Sequence, residues 1–232
     1  MKVAILDDYQ NVSLILGNFE KLKKDFLFQV FNQPFENEDS AIEQLKDFEV
    51  LLVMRERTPI TKKIISNLKN LKLIITSGMR NKSIDFLTAK EKKILVCGTD
   101  SSSNSTAELT WALVMAAARR LPQYIGNLKH GAWQQSGLKA GSMPANFGLG
   151  TVLRGKTLGI WGYGKIGQLV AGYGKAFGMK VIVWGSETSR DQAVQDGLEA
   201  APSKATFFET ADVLSLHLRL NTETAGIVKL DD

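Results

Sequence analysis

Gly162, Gly164 and Gly167 stand at the spacing Gly-x-Gly-x-x-Gly, directly after the apolar run Thr157-Leu158-Gly159-Ile160-Trp161. The chemistry served by that spacing is dinucleotide binding. The first glycine permits a tight turn, the second lets backbone approach a pyrophosphate, and the third lets a helix sit close to its strand. The anion then rests on the positive helix N-terminus. Tyr163, Lys165 and Ile166 fill the intervening positions and belong to the same candidate site. A lone fingerprint is often only a glycine-rich turn, so context decides. Ile166, Leu169, Val170, Tyr173, Ala176 and Phe177 recur at helical spacing, Gly178 follows as a stop, and Val181-Ile182-Val183-Trp184 reads as a second strand. Together they complete a βαβ unit.

An acidic residue at the end of that second strand normally takes the ribose hydroxyls of NAD, but the position holds Gly185. Glu187, two residues on and beside Ser186, is the substitute, which favours NAD. NADP is the alternative, because Gly185-Ser186-Glu187-Thr188-Ser189-Arg190 also resembles small-residue and arginine patterns that admit a 2′-phosphate. The lone Cys97 follows an apolar run and is expected to be a buried small side chain, and one cysteine excludes internal disulfides. No metal site is expected.

These residues must be positioned by an ordinary globular chain: 232 residues, 44% apolar and 23% charged. Its net charge of +5 is spread without a basic stripe or interleaved aromatics, which argues against nucleic acid and remains compatible with anionic small molecules. Without a signal peptide or a run of about 18 apolar residues, no membrane partner is expected and the cytoplasm is the expected compartment.

In the first hundred residues, Val3 to Leu6, Phe26 to Phe31, Val50 to Met54, Leu73 to Ile75 and Ile94 to Val96 are strand candidates. Most are continuously apolar, as parallel strands covered on both faces are. Helices are expected over Glu38 to Lys46, Thr61 to Leu68 and Ile84 to Lys90, with Asp39, Thr61 or Ser83 as caps. The result is a small doubly wound α/β unit, whose ligand loops begin at Asp7, Met54 and Thr76. The polar stretch Gly98 to Asn104 marks a boundary, giving domains 1–100 and 101–232. Ser105-Thr106-Ala107-Glu108 then has the form of a capping box, and the helix from Leu109 to Leu121 is apolar nearly all round, so burial between lobes or subunits is expected. Pro122 to Gly150 reads as an irregular arm carrying Tyr124, Trp133 and Phe147 onto an interface. Beyond the βαβ unit follow a short strand at Leu198 to Ala200, a helical turn at Lys204 to Glu209 and a strand at Val213 to Leu216.

The opening Met-Lys-Val-Ala-Ile-Leu-Asp-Asp-Tyr-Gln, Met54-Arg55-Glu56-Arg57-Thr58, Ser77-Gly78-Met79-Arg80-Asn81, Ser105 to Thr110, the fingerprint, Phe177 to Val181 and Leu214 to Leu218 together resemble the D-isomer-specific 2-hydroxyacid dehydrogenases. The resemblance covers nearly the whole chain in the family's order. It implies a Rossmann-type NAD(P)-binding lobe plus a flavodoxin-like substrate lobe, both incomplete at the C-terminus. It also implies hydride transfer between NAD(P) and a small 2-hydroxy or 2-oxo acid, of the phosphoglycerate or glycerate kind, in a homodimer joined through the cofactor lobe. The turn at Gly78, Met79 and Arg80 matches the family's carboxylate-binding loop, and the Arg80 side chain offers a charge-assisted bond. Arg55 and Asn81 match substrate-facing positions, and Thr106 and His217 match positions at the nicotinamide end.

One departure is large. The family's catalytic arginine, acidic residue and acid/base histidine lie downstream of the segment resembling Thr222 to Val228, after which only four residues follow here. No catalytic residue is therefore assigned, neither His130 nor His217 is taken as the base, and the 232 residues are expected to be inactive on their own. Loss of later strands is expected to leave an unpaired sheet edge. The alternative reading is a non-catalytic dinucleotide-binding or interaction protein derived from the same family.

Overall fold

The computed structural model describes residues 1–100, 102–133, 136, 137 and 148–232. They fall into two units, Met1–Ser101 and Ser102–Asp232. In the first, the continuous apolar runs become strands: β1 (Lys2–Ile5), β2 (Leu27–Val30), β3 (Val50–Val53), β4 (Leu73–Thr76) and β5 (Leu95–Gly98). All pair in parallel in the order β2-β1-β3-β4-β5, the flavodoxin-like doubly wound arrangement. The inner strands β1 and β3 are almost wholly buried, while the edge strands leave Leu27 and Leu95 exposed. Between them lie α1 (Ser13–Leu16), α2 (Glu38–Leu45), α3 (Lys62–Asn67) and α4 (Phe86–Glu91). Leu6, Leu45, Leu51, Ile60, Ile64, Ile65 and Ile74 form the unit's core.

Local chemistry sets the helix starts. Asn37, extended at φ −161°, accepts the Ser40 N–H at 2.9 Å, and Asp85 accepts the Thr88 N–H at 2.8 Å. Thr61 caps α3 as expected, but Asp39 and Ser83 do not cap: Asp39 already lies inside the first turn of α2, and the Ser83 N–H is bonded to Asn81. The short α1 had no apolar period to announce it. Cys97 is half-buried rather than buried, because it sits on edge strand β5.

The second unit opens with α5 (Asn104–Ala118) and α6 (Leu121–Lys129), followed by the short antiparallel pair β6 (Ala132–Trp133) and β7 (Ser136–Gly137). Then come β8 (Thr157–Trp161), α7 (Lys165–Ala176), β9 (Lys180–Trp184), α8 (Glu187–Gln195), β10 (Glu199–Ala200), α9 (Lys204–Thr210) and β11 (Val213–Leu216). The four longer-range strands are parallel in the order β10-β9-β8-β11. One face of this sheet packs Leu158, Ile160 and Val183 against Val170 of α7 and Ala107 of α5. The other packs Trp161 and Ile182 around Phe207 of α9.

Two expectations are corrected here, and a third is left open. The capping box does not form, since α5 starts at Asn104 with no side-chain cap and Thr106 lies within its first turn. Within its own unit α5 packs Trp111, Val114 and Met115 inward and leaves Leu109 and Leu113 exposed at 62% and 61%, which leaves the expected burial between lobes or subunits untested. The supposed irregular arm begins as helix α6. Arg120 turns the chain at φ 53°, and Pro122 is tolerated in the first turn, where an N–H has no intrahelical partner anyway. Phe147 lies outside the described residues, as does the side chain of Trp133.

Phe207 is fully buried and meets Trp161 edge-on at 6.1 Å between ring centroids. Phe207→Ala should lower stability by about 3 to 5 kcal/mol in chemical denaturation followed by tryptophan fluorescence. A loss below about 1 kcal/mol would contradict this account of the second core.

Candidate functional site

The three fingerprint glycines meet three different constraints. Gly162, at φ 99°, occupies the left-handed region, and a Cβ there would lie 2.8 Å from the His217 carbonyl oxygen. Gly167, the third residue of α7, is tighter still: an added Cβ would come 2.3 Å from the Gly162 carbonyl oxygen and 3.3 Å from Ile160 Cγ2. Gly164 precedes α7 and is the opposite case, with nothing within 4 Å of an added Cβ. Its surface is thus open for a ligand to reach the backbone. No side chain caps α7 among the described residues, so the N–H groups of its first turn, at Lys165, Ile166 and Gly167, point at that open space with the helix dipole behind them. Lys165 is exposed, and Ile166 is half-buried against the core.

The ends of β8 and β9 are joined by the Gly162 N–H, which donates to the Trp184 carbonyl at 2.9 Å. Gly185 follows at φ 152°, then Ser186, whose hydroxyl oxygen accepts the Ser189 N–H at 3.3 Å and caps α8. Glu187 is exposed in the first turn. Arg190, one turn in, lies over the Trp184 ring, its guanidinium carbon 5.0 Å from the centroid. Tyr163, inside the fingerprint, is buried and donates its hydroxyl to Asp196 at 3.0 Å at the far end of α8, where Gln192 donates to the other carboxylate oxygen at 2.9 Å. Burial, and then the bond to the Asp196 carboxylate and its charge, push the Tyr163 phenol up to about 12.

His217 directly follows β11. Its ring Nε2 is 2.9 Å from the Ser215 hydroxyl, and burial pushes the imidazole below its ordinary value of 6.5, so it is neutral at pH 7. Among the described residues no carboxylate orients it. Thr106 is exposed, and its carbonyl accepts the Thr110 hydroxyl at 2.8 Å.

In the first unit the loops after β3 and β4 meet. Arg55 adopts φ 52° and donates its N–H to the Ser77 hydroxyl at 3.0 Å. Its guanidinium lies against Gly78, so close that a Cβ on Gly78 would be 2.7 Å from Nη1. The two differ from expectation beneath the surface. The Gly78 N–H already donates to the Thr99 hydroxyl at 3.1 Å, and the next two residues of the turn, Met79 and Arg80, are exposed. Asn81 is buried and turned inward: its amide donates to the Arg55 carbonyl at 2.6 Å and to Thr76 at 2.9 Å, and its oxygen accepts the Ser83 N–H at 2.8 Å. It holds Arg55 rather than facing a substrate.

Two sets of contacts were not foreseen from the sequence, although the loops at Asp7 and Met54 were named there as ligand loops. The Tyr163 to Asp196 tether spans 33 positions and leaves no local signature. At the end of β1, Asp7 is buried at φ 61°, accepting from Tyr9 at 3.1 Å and Thr58 at 2.9 Å, while its carbonyl accepts from Arg57 at 2.6 Å. The signal available for the second was the Asp-Asp pair at a strand end, since aspartate tolerates the left-handed region.

Residues 111–232 match the family model described as D-isomer specific 2-hydroxyacid dehydrogenase, NAD binding domain. The crystal structure of phosphoglycerate oxidoreductase from Vibrio cholerae O395 superposes with a TM-score of 0.89 at 48% identity, covering 98% of this chain and 70% of that one. D-3-phosphoglycerate dehydrogenase of Methanocaldococcus jannaschii is 37% identical over 191 residues, 82% of this chain and 34% of its own length. Hydroxypyruvate reductase of Thermotoga maritima is 37% identical over 179 residues, 77% of this chain and 54% of its own length. The chain thus spans about a third to a half of these curated relatives.

The Tyr163 phenol titrates from 10.0 when unfolded to about 12 when folded. Its contribution is complete below pH 10 and is lost as pH rises toward 12, by on the order of 2 kcal/mol. Tyr163→Phe should flatten that alkaline loss and cost about 1 kcal/mol at pH 7. Urea midpoints measured across the range test it; an unchanged alkaline slope in the variant would remove the tether from the stability account.

Proposed function

Because the chain belongs to the D-isomer specific 2-hydroxyacid dehydrogenase family, we propose that its second unit binds NAD and that the first contributes to holding a small 2-hydroxy or 2-oxo acid. The observation that carries this reading is the open surface at Gly164 in front of an uncapped helix, flanked by two glycines that cannot carry a side chain. In this reading the amides of Lys165, Ile166 and Gly167 hold the pyrophosphate, and Ser186 and Glu187 take the ribose hydroxyls. Thr106 and His217 serve the nicotinamide end. The bound cofactor supplies the hydride acceptor or donor. Arg55 and the amides of Met79 and Arg80 hold the substrate carboxylate, and Asn81 positions Arg55 from beneath.

The proposed substrate class is of the phosphoglycerate or glycerate kind, supported by relatives named D-3-phosphoglycerate dehydrogenase and hydroxypyruvate reductase, and the proposed compartment is the cytoplasm. No helix among the described residues is long and apolar enough to cross a membrane. Exposed Leu109 and Leu113 on α5, with Ile125 and Leu128 on α6, are the apolar surface proposed to join two copies through the second unit.

A second reading, dinucleotide binding without chemistry, is favoured by one observation. Neither His130, exposed at the end of α6, nor His217 has a carboxylate partner among the described residues. General acid catalysis typically contributes about 10² to 10⁴ in rate, and it needs an oriented proton donor.

Fluorescence titration of the 232-residue chain should show saturable NADH binding, while NADH oxidation with glyoxylate, hydroxypyruvate and pyruvate stays flat. Folded protein that ignores NADH would overturn the cofactor assignment; clear turnover would overturn the second reading. In light scattering the mass should be near twice 25.6 kDa, and Leu109→Glu with Leu113→Glu should halve it. A monomeric parent protein at micromolar concentration would reject the proposed pairing.

A further inference from the structure

Of the chain's six methionines, two stand in the paired loops of the first unit: Met54 just after β3 and Met79 in the turn after β4. Their surroundings differ. Met79 is 70% exposed, whereas Met54 is 38% exposed and its Sδ accepts the Ser77 hydroxyl at 3.3 Å.

Ser77 is a junction between the loops. Its oxygen accepts the Arg55 N–H at 3.0 Å while its proton goes to the Met54 sulfur, so one hydroxyl holds two consecutive residues of the facing loop. The same stretch is tied by Asn81, which donates to the Arg55 carbonyl at 2.6 Å, and by the Arg57 N–H, which donates to the Met54 carbonyl at 3.3 Å. These bonds keep Arg55 at φ 52°, a region that a residue with a Cβ does not favour.

The thioether is the weak member of this set, because sulfur is a poor acceptor and is open to oxidation. With hydrogen peroxide as oxidant, the sulfur lone pair takes one peroxide oxygen, the S–O bond forms as the O–O bond breaks, and the departing hydroxide takes a proton to leave as water. Sulfur loses two electrons and the peroxide gains them. The product is a polar, chiral side chain in place of a flexible apolar one. A well-directed bond from Ser77 to the new oxygen needs about 2.7 Å in addition to the S–O bond, which carries the hydroxyl beyond its present 3.3 Å from the sulfur. The loops therefore part, or the oxidised side chain swings into water.

We propose that Met54 is a peroxide-sensitive modification site whose sulfoxide releases the Arg55 turn from Ser77. Release draws the guanidinium away from Gly78, against which it now lies so close that a Cβ would be 2.7 Å from Nη1. The consequence for substrate rests on the reading given above, in which Arg55 holds a carboxylate: oxidation then weakens acid binding.

The test treats the 232-residue chain with hydrogen peroxide at a level that leaves buried Met179 reduced, maps added oxygen by mass spectrometry, and follows deuterium uptake of the peptide covering residues 53–58. Oxygen on Met54 should speed exchange in that peptide by about tenfold or more, and methionine sulfoxide reductases should reverse it. Met79→Leu should keep the response and Met54→Leu should abolish it; if Met54→Leu does not fold by circular dichroism, reductase reversal in the parent chain decides. In calorimetry the Kd for D-glycerate should rise by about tenfold on oxidation of the parent and stay unchanged in Met54→Leu. Met54 that stays reduced while Met79 is oxidised, or an oxidised Met54 with unchanged exchange, overturns the proposal. D-glycerate that fails to bind the untreated chain overturns the substrate reading instead, and the exchange measurement still decides the modification.

Discussion

The 2.3 Å gap between a would-be Cβ on Gly167 and the Gly162 carbonyl is the constraint on which the second unit turns. It brings the start of α7 hard against the turn leaving β8, so the first-turn amides sit at the sheet's carboxyl edge instead of a side chain's width above it. From that follow the open floor at Gly164, the passage of the β11 tail beside Gly162, and the bond from Gly162 to Trp184 that levels the ends of two strands. A methyl group at 167 would have to move backbone, and close-packed interiors do not give way by an ångström without loss.

The two units fix their loops at the strand ends by different means. In the second, glycines set how closely the helix start approaches the strand end, so the important quantity is how near two segments can come. In the first, side chains shape the loops: Arg55 lies across Gly78 while buried Asn81 carries the bonds that fix the loop from below. A buried amide with both donors and its acceptor used is stable where it is and costly to disturb, because each lost bond strands a polar group without water.

How much of this could be read from sequence depended on the range of the interaction. The parallel strands were legible, since Val50 to Val53 and Val181 to Val183 are continuous apolar runs that only a sheet covered on both faces accommodates. The glycine spacing was legible too, being local chemistry with a fixed period. Helix ends were less so: Asn37 and Asp85 cap from just outside the apolar pattern, and Pro122 looked like a breaker although a first turn accepts it. Contacts between distant positions were not legible at all. Nothing near Asn81 says that it will turn inward toward Arg55, 26 positions away, and nothing near Tyr163 names Asp196.

The left-handed backbone of Arg55 carries a further consequence. A residue with a Cβ gives up roughly 1 to 2 kcal/mol in that region, which glycine would not. The guanidinium is thus retained against a conformational preference of the main chain. Glycine at this position would relieve the main chain, and would remove the guanidinium that lies against Gly78. A relaxed backbone and a charge above Gly78 therefore exclude one another at this single position, so a change that eases the chain there also strips the loop of its guanidinium.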